Sequence, residues 1–482
     1  MRRQPSFGRI RHVHMVGIGG IGMSSIAQVL LARGFHVSGS DARRSEVTEG
    51  LEARGAVVYE GHDAANIEGA GLVVYSSAVK VGENAETLAA QRLRVPLIGR
   101  PVMLAELMRS KTGIGVAGTH GKTTTTSMVG LVCDEAGFEP TVIVGGKVAA
   151  FGTNAMTGEG DLIVVEADEY DRTFLRLTPV LAVITNIEAD HLDIYRDLDD
   201  IRDAFAQFAN SVPFFGAVIA CVDDANVQSL LPTIERRVVT YGTTRQADLR
   251  AGAIRPDGLA TTFTVFLAGE PLGEIALLAP GLHNVRNALA AIAVGLELEV
   301  PFEDIAAALR RVTGVDRRFQ LIAEAGGVTV VDDYAHHPTE VRAALDAAAL
   351  AFPGRRLVLV FQPHLYSRTR DLMEDFAFAF LGADTLVLTG IYPAREHADD
   401  FPGVTADALA ALTRRSGHRD VQFVDDKTAV PDALTAFVQP GDVVLTMGAG
   451  DVYRYGKIFA DRLLAADGAT GTDAADTVEG TP

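Results

Sequence analysis

The stretch TGIGVAGTHGKTTTT, residues Thr112–Thr126, runs from a short apolar segment through a glycine turn into a run of threonines. This order predicts a strand, a loop and the first turn of a helix. Glycine leaves backbone N–H groups free to point at phosphate oxygens, Lys122 supplies a charge for the β- and γ-phosphates, and the Thr123 hydroxyl can ligate Mg²⁺. The helix N-terminus adds partial positive charge at the same place.

The match to the common phosphate loop is imperfect. Val116 stands where the first glycine is expected, and Gly115 and Gly118 flank it. The alternative is a purely structural strand–turn–helix connection, but the whole run favours an ATP site. The residues predicted to contact ATP in this loop are Gly118, Thr119, His120, Gly121, Lys122, Thr123 and Thr124.

Length and composition describe a globular protein of several domains. A chain of 482 residues is too long for one hydrophobic core, so about three domains are expected. Hydrophobic residues make up 48% of the chain and charged residues 22%, which are ordinary values for a soluble protein. The formal net charge of −19 argues against non-specific binding of nucleic acid or of an anionic membrane, though not against one anionic substrate.

The two cysteines, Cys133 and Cys221, lie in apolar segments and provide no disulfide framework, as in a reducing compartment. The N-terminal segment lacks the apolar core of a signal peptide, and no run approaches the ~18 apolar residues of a membrane span. We therefore expect a cytoplasmic protein without nucleic-acid or membrane partners. We expect a monomer or a weak homodimer.

A second glycine loop lies near the start of the chain. The segment His12–Val16 predicts a strand, and it runs into a G-x-G-x-x-G pattern at Gly17, Gly19 and Gly22. A second predicted strand ends at Asp41, near the position of the acid that binds a ribose hydroxyl in dinucleotide-binding folds. A nucleotide or sugar nucleotide is therefore expected here, with an NAD-dependent dehydrogenase as the rival interpretation. Five further residues are assigned to this site: Gly20, Ile21, His62, Ser76 and Ser77.

Two predicted strands of the central region end in acidic segments. The strand Asp161–Val165 leads into EADE, which begins at Glu166, and the strand Val180–Thr185 leads into NIEADH, which ends at His191. Carboxylates at a strand end beside a phosphate loop are typical of Mg²⁺ sites. For His191, position alone leaves open whether it is a ligand or a hydrogen-bonding residue.

The third region predicts another parallel sheet of apolar strands separated by helices. The predicted strands are Val328–Val331, Arg356–Phe361, Thr385–Thr389 and Asp442–Thr446. The first leads into DDYAHHP, where adjacent histidines cannot easily face one metal ion. We expect one of them to bind substrate and the other to be structural. Residues 466–482 are small, polar and acidic, and we predict a disordered tail there.

Taken in order, the motifs resemble those of the Mur ligase family over essentially the whole chain to about residue 465. They are GIGGIGM, GTHGKTTT, EADEYD, TNIEADHLD, LHNVRNALAA, RRFQ, DDYAHHPTEV, QPHLYSRT and MGAGD. The resemblance implies an α/β protein of three domains. These are an N-terminal Rossmann-like domain for a UDP-sugar (1–110), a central P-loop-type ATPase domain (111–314) and a C-terminal Rossmann-like domain for the amino acid (315–465).

Within the family, the motifs are most similar to those of the branch that adds L-alanine to UDP-N-acetylmuramate in peptidoglycan synthesis. This resemblance implies that ATP activates the muramate carboxylate as an acyl phosphate with release of ADP. The amino group of alanine then attacks, and phosphate leaves. It also implies a requirement for Mg²⁺, with two ions in the site.

The resemblance assigns roles to individual residues. Lys122, Glu166 and His191 are the implied catalytic residues; Thr123 and Glu166 hold one Mg²⁺, and His191 takes the second. Contacts with the nucleotide are implied for His283, Asn287, Arg318 and Asp333. Contacts with the muramate end of the substrate or with alanine are implied for Tyr334, His336 and Arg368.

Two departures from the family pattern matter. Many Mur ligases carry a carbamylated lysine about 15 residues after the metal histidine, but the segment Asp203–Asn210 contains no lysine. The alanine-adding branch also lacks it, so this absence favours that branch. Leu365 stands where many alanine-adding enzymes have arginine, which puts one substrate contact in doubt, although Arg368 and Arg370 are nearby.

Three alternatives remain at this point. A murein-peptide ligase would attach a recycled tripeptide to the same sugar nucleotide with most of the same motifs. A folylpolyglutamate synthase would not need the first glycine-loop domain. An NAD-dependent oxidoreductase would leave the phosphate loop and both acidic strand ends unused.

Overall fold

The structure is a computed structural model that describes residues 7–192, 194–312 and 314–473. The described chain forms two compact units. The first contains the described residues up to Ile254 together with Phe263–Leu277 and Asn284–Val315. The second contains Arg255–Thr262, Leu278–His283 and the described residues from Asp316 onward.

The first unit begins with a five-stranded parallel sheet. Its strands are β1 (His12–Val16), β2 (His36–Asp41), β3 (Val57–Glu60), β4 (Leu72–Tyr75) and β5 (Leu97–Gly99). Its helices are α1 (Ile21–Ala32), α2 (Glu46–Glu52), α3 (Ala85–Leu93) and α4 (Arg100–Arg109). The spatial order β3-β2-β1-β4-β5 reverses direction at β1, so the glycine loop that follows β1 lies at the switch point where such sheets bind nucleotides.

The central sheet has ten strands. They are β6 (Thr112–Ala117), β7 (Thr141–Val148), β8 (Thr153–Thr157), β9 (Leu162–Glu166), β10 (Leu181–Ile184), β11 (Ala217–Cys221), β12 (Val238–Gly242), β13 (Leu249–Asp257), β14 (Ala260–Leu267) and β15 (Glu270–Leu277). The helices of this region are α5 (Lys122–Glu135), α6 (Leu198–Asn210), α7 (Ala225–Leu230), α8 (Leu282–Glu297) and α9 (Phe302–Arg310).

The order of the central strands decides where the site lies. β6 lies between β10 and β9 and is parallel to both. The carboxyl ends of these three strands therefore meet at one edge of the sheet. The phosphate loop follows β6. The EADE segment begins at Glu166, the last residue of β9, and the TNIEADH segment follows β10.

The second unit contains a six-stranded sheet. Its strands are β16 (Gln320–Ala325), β17 (Val328–Asp333), β18 (Leu357–Phe361), β19 (Thr385–Thr389), β20 (Val421–Val424) and β21 (Val443–Met447). Its helices are α10 (Pro338–Ala351), α11 (Tyr366–Asp371), α12 (Met373–Ala379), α13 (Ala406–Arg415), α14 (Val430–Phe437) and α15 (Val452–Asp473). The order is β16-β17-β21-β18-β19-β20, and all pairs are parallel except the edge pair β16–β17.

The predicted α/β fold class with three sheet regions is confirmed, and most predicted strands lie within one residue of the observed ones. Three details differ. Residues 255–262 and 278–283, predicted in the central domain, belong to the second unit. The strands β3, β5, β7, β8, β11–β16 and β20 were not predicted individually. The helix α15 continues to Asp473, so the predicted tail starts too early, and residues 474–482 lie outside the described part of the chain.

Close packing explains one glycine that the phosphate-loop pattern does not require. Gly115 lies inside β6, and a Cβ atom there would be 3.1 Å from the ring of Phe208 and 3.3 Å from Pro179. Phe208 stacks on Phe174 in the buried core between α6 and the sheet. No helix among the described residues is long and apolar enough to cross a bilayer.

Candidate functional site

The loop between β6 and α5 has a backbone conformation that requires glycine at two positions. Gly118 has φ +142° and Gly121 has φ +80°. A Cβ atom on Gly118 would lie 2.0 Å from Thr185 Oγ1, and one on Gly121 would lie 2.6 Å from Asn287 Oδ1. Glycine alone satisfies both the backbone angle and the space, so the loop can approach a phosphate closely.

The residues after β10 hold this loop in place. Asn186 accepts from His120 N at 2.8 Å and donates to His120 O at 3.0 Å, so its side chain pairs with the loop as a neighbouring strand would. Thr185 Oγ1 also donates to His120 O at 2.6 Å, and the amide of Glu188 donates to Thr119 Oγ1 at 2.9 Å. The sequence motif TNIEADH was considered only for its acids, but its first residues are the scaffold of the loop.

Asn287 supports the loop from the other side. It is buried, and its Oδ1 accepts from Thr125 Oγ1 at 3.1 Å. The same Oδ1 lies against Gly121 in the phosphate loop. The predicted contact of Asn287 with the nucleotide stays a prediction. His283 belongs to the second unit.

Lys122 forms an ion pair that the sequence did not reveal. Its ammonium donates to both carboxylate oxygens of Glu169, at 2.8 and 3.0 Å, and to the carbonyl of Gly118 at 2.7 Å. Burial disfavours the charge on Lys122, but the carboxylates of Glu169, Asp168 and Glu166 together outweigh it and raise the pKa of Lys122. Burial raises the pKa of Glu169 to about 7. The available signal was the position of Glu169 in the same EADE segment as Glu166.

The predicted ligands of the first metal ion lie together. Thr123 Oγ1 is 3.1 Å from Glu166 Oε1, and the other oxygen of Glu166 accepts from Gly145 N at 2.6 Å. A hydroxyl and a carboxylate are hard oxygen donors of the kind Mg²⁺ prefers, so these residues fit the ion.

The predicted ligand of the second ion, His191, lies near two other carboxylates. His191 Nε2 is 3.9 Å from Glu169 Oε1 and 3.8 Å from Asp190 Oδ2. His191 has φ 55°, a left-handed conformation that its amide stabilises by donating to Asp190 Oδ1 at 2.8 Å. An imidazole between two carboxylates is a donor set that fits a divalent cation.

The first glycine loop is held by the end of β2. The amides of Gly17 and Ile18 both donate to the carbonyl of Ser40, at 2.8 and 3.0 Å. The amide of Gly19 donates to Asp41 Oδ2 at 2.9 Å. Asp41 therefore shapes the loop with one carboxylate oxygen, which is compatible with the predicted ribose contact through the other.

The predicted serine and isoleucine positions border this loop. Ser76 N donates to Val16 O at 3.0 Å, and a Cβ atom on Gly17 would lie 3.0 Å from Ser76 Cβ. Ser77 follows it at the end of β4, and Ile21, which follows Gly20, is exposed at the start of α1.

A buried carboxylate fixes His62, another predicted residue of the sugar-nucleotide site. Glu86 has no exposed surface and accepts from Ser40 Oγ at 2.6 Å and from Asn66 Nδ2 at 2.7 Å. The rings of His62 and His14 face its two oxygens, at 3.1 and 3.5 Å. Burial disfavours the charge, but hydrogen bonds from His14, Ser40 and Asn66 outweigh it and hold the pKa of Glu86 below its ordinary value.

In the second unit, the two adjacent histidines have different surroundings. The buried His337 caps α10: its ring accepts from Thr339 N at 3.4 Å, and its own amide donates to Glu340 Oε2 at 3.3 Å. His336 is half-buried, with Nδ1 2.9 Å from the carbonyl of Tyr334. His337 therefore has a structural role at the start of α10, and the substrate contact of His336 stays a prediction.

Asp333 and Arg318, both predicted to contact the nucleotide, have protein partners in this unit. The carboxylate of Asp333 accepts from the amides of Phe319 and Ala335, both at 2.7 Å. Burial raises its pKa to about 6. Arg318 Nη1 is 3.5 Å from Glu340 Oε1. The nucleotide contacts of both residues stay predictions.

Sequence reasoning missed Arg317, which organises the same region. Its guanidinium lies between the rings of Tyr334 and Tyr453, at 4.8 and 4.4 Å. It also donates to Asp332 Oδ2 at 3.1 Å and to the carbonyl of Gly448 at 2.5 Å. Arg317 thus fixes Tyr334 and joins the segment before β16 to the MGAGD loop.

Arg368 lies on the short helix α11, whose N-terminus is capped by a residue that is remote in the sequence. Leu365 precedes the helix with φ 69° and is buried, so it offers no polar side chain for capping. Glu396 instead accepts from Ser367 Oγ at 2.5 Å and from Ser367 N at 3.0 Å. The arginine expected at position 365 is therefore replaced by a packing residue, and α11 is held by Glu396.

Three family models match consecutive parts of the chain. The model described as "Mur ligase family, catalytic domain" matches residues 12–112, and "Mur ligase middle domain" matches residues 116–295. The model described as "Mur ligase, glutamate ligase domain" matches residues 317–450. These ranges correspond to the three sheets.

Relatives match over nearly the full length. A UDP-N-acetylmuramate–L-alanine ligase of Salinibacter ruber is 61% identical over 470 residues, which are 98% of each chain. One of Geotalea daltonii is 51% identical over 95% of this chain and 100% of its own. Among solved structures, the UDP-N-acetylmuramate–alanine ligase of Thermotoga maritima has a TM-score of 0.79 at 30% identity, covering 94% of this chain and 99% of its own.

We expect the hydrogen bonds around Glu86 to make the free energy of unfolding depend on pH. The pKa of Glu86 is lower in the folded chain than its ordinary value of 4.5. The ionised carboxylate therefore stabilises the fold fully above pH 4.5, and this contribution is lost as the pH falls through the pKa that Glu86 has in the folded chain. Glu86→Gln should lower the free energy of unfolding by about 1–3 kcal/mol at pH 7, because the buried donors around it lose a charged acceptor.

The measurement is the urea midpoint of unfolding between pH 7 and pH 3 for the wild type, Glu86→Gln and the exposed control Glu68→Gln. The difference between wild type and Glu86→Gln should shrink in acid, while the control follows the wild type. A constant difference at all pH values would contradict an ionised Glu86.

Proposed function

The chain belongs to the Mur ligase family, and on that premise we propose that it ligates L-alanine to UDP-N-acetylmuramate at the expense of ATP. The observation that carries the chemistry is the arrangement around the phosphate loop, where Lys122 and Glu169 pair 2.8 Å apart and Thr123 faces Glu166 at 3.1 Å. The 61% identity to the Salinibacter ruber enzyme supports the choice of substrates.

The reaction proceeds in two steps. A carboxylate oxygen of muramate attacks the γ-phosphorus of ATP, which forms the acyl phosphate and breaks the bond to the β-phosphate, so that ADP leaves. The amine of alanine then attacks the acyl carbon, loses a proton, and inorganic phosphate leaves. Transfer between two anions needs charge neutralisation and in-line positioning more than covalent help.

Lys122 supplies the protein's own positive charge for the first step. Its ammonium is buried beneath the loop and already donates to the Gly118 carbonyl, so it can reach a phosphate oxygen with little movement. Asn186 and Thr185 both donate to the carbonyl of His120, which fixes the peptide whose N–H belongs to Gly121, so we propose that this N–H meets a phosphate without reorganisation.

The acids around Lys122 require cations to balance them. We propose that Thr123 and Glu166 hold one Mg²⁺, and that His191 and Glu169 border a second. Bound Mg²⁺ neutralises the γ-phosphate and the muramate carboxylate when both are present. Neither site depends on a carbamylated lysine, since none occurs in α6.

We propose that the amino acid is bound by the second unit. Arg368, held on α11 through Glu396, is the partner for the alanine carboxylate or the muramate end, together with Tyr334 and His336. We also propose that His283, Arg318 and Asp333 contribute to nucleotide binding. The predicted cytoplasmic location and the predicted monomer or weak homodimer remain predictions.

Replacing Lys122 tests the role of the phosphate loop. Lys122→Ala should lower kcat/KM by about 10³-fold, since it removes a main charge contact of the transition state. The exposed Lys457→Ala makes the same change of charge and should leave the rate unchanged. Steady-state release of ADP measures both, and near-normal turnover of Lys122→Ala would contradict the role.

The choice of acceptor tests the proposed function itself. ADP release with UDP-N-acetylmuramate should require L-alanine and should be at least ~10²-fold less efficient with L-Ala-γ-D-Glu-meso-diaminopimelate, because a pocket for a methyl group excludes a tripeptide. Glycine should lose about 1 kcal/mol of transition-state binding. A murein peptide ligase of Psychrobacter arcticus also shares the fold, with a TM-score of 0.67 at 26% identity, and a preference for the tripeptide would reassign the chain to that activity.

A further inference from the structure

Arg100 contacts the first glycine loop although it lies far from it in the sequence. It is the first residue of α4, and its guanidinium and stem lie against Gly22. A Cβ atom on Gly22 would be 3.0 Å from Arg100 Nη1 and 3.2 Å from Arg100 Cδ. Gly22 does not have a positive φ, so a side chain at this position would have to displace the arginine rather than strain the backbone.

The same side chain borders the acids of the central sheet. Arg100 lines one cavity together with Glu166 and Asp168, with Pro101 and Leu104 on its own helix. All of these residues belong to the first unit. Arg100 therefore lies against the sugar-nucleotide loop and also borders a cavity lined by carboxylates of the central sheet.

The guanidinium of Arg100 has no protein anion as a partner. Among residues 7–192, 194–312 and 314–473 it makes neither a hydrogen bond nor an ion pair, although it is only half exposed. A guanidinium carries five donors, and those of Arg100 are left to water rather than to protein acceptors in the described part of the chain. They are therefore available to a bound anion, and the planar fork suits phosphate oxygens.

We propose that Arg100 binds the diphosphate of the sugar nucleotide, as an addition to the function proposed above and resting on it. A diphosphate at the switch point of the first sheet would lie over the amides of the glycine loop. Gly22 ends that loop and is covered by Arg100, so the cation lies beside the expected position of the diphosphate. Because Glu166 and Asp168 border a cavity that Arg100 also lines, an anion bound at the loop benefits from a cation placed between it and these carboxylates.

Binding of UDP, which has the diphosphate but no muramate carboxylate, tests the proposal. The affinity of Arg100→Gln for UDP, measured by calorimetry, should be at least ~10-fold weaker than that of the wild type, with Arg100→Lys between the two. Arg109→Gln, an exposed change on the same helix, is the matched control and should bind UDP normally. The affinity for ADP should be unchanged in all variants, because the central loop is intact.

A second variant approaches the same contact from the other side. Gly22→Ala should also weaken UDP binding, because its methyl group displaces the guanidinium. The loss of UDP affinity caused by Gly22→Ala should be smaller in the Arg100→Gln background than in the wild type. Additive losses in the double variant would contradict the contact. Unchanged UDP affinity in Arg100→Gln would overturn the proposal, and so would a loss confined to UDP-N-acetylmuramate, since this would assign Arg100 to the carboxylate.

The proposed function can fail separately. The wild type could bind UDP, and Arg100→Gln could lose this affinity, while the wild type releases no ADP with UDP-N-acetylmuramate and L-alanine. In that case the proposed ligase activity is wrong and the diphosphate contact stands.

Discussion

The pairing of the Asn186 side chain with the backbone of His120 is the interaction on which the site depends. It fixes both the backbone donor and the backbone acceptor of one loop residue, and hence two adjacent peptides, at 2.8 and 3.0 Å, and Thr185 adds a third hydrogen bond at 2.6 Å. The loop amides are thereby oriented before a nucleotide binds, so no binding energy is spent on ordering them. The glycines at 118 and 121 follow from the same constraint, because a side chain at either would displace Thr185 or Asn287.

Charge is the second constraint. Lys122 is buried among Glu166, Asp168 and Glu169, so one cation faces three carboxylates. Such a cluster is stable only if some acids are protonated or further cations are bound, and burial does raise the pKa of Glu169 to about 7. A site with this excess of carboxylate is suited to divalent cations, and these in turn allow a nucleotide triphosphate to approach an acidic protein.

The sequence predicted those features that depend on local pattern. Apolar runs predicted the strands, and because parallel strands present their carboxyl ends at one edge, the phosphate loop and Glu166 could be placed together in advance. The pairing of Lys122 with Glu169, the contact of Asn186 with the loop and the burial of Glu86 depend on which strands are neighbours, which no local pattern specifies. The strands β13–β15 were missed because many of their positions are exposed and polar, so they lack the continuous apolar runs that marked the buried strands. Arg317 was missed because its partners are distant in sequence.

The most direct test of this account is the affinity for ADP after Asn186→Ala. Asn210→Ala is the matched control, since that side chain also makes two hydrogen bonds with backbone groups, at 2.9 Å to Thr233 O and 2.8 Å from Glu235 N, but at the end of α6. Measured by calorimetry with Mg²⁺, ADP should bind at least ~10-fold more weakly to Asn186→Ala than to Asn210→Ala, while both bind UDP as the wild type does. Equal affinity for ADP in the two variants would contradict a loop held ready by Asn186.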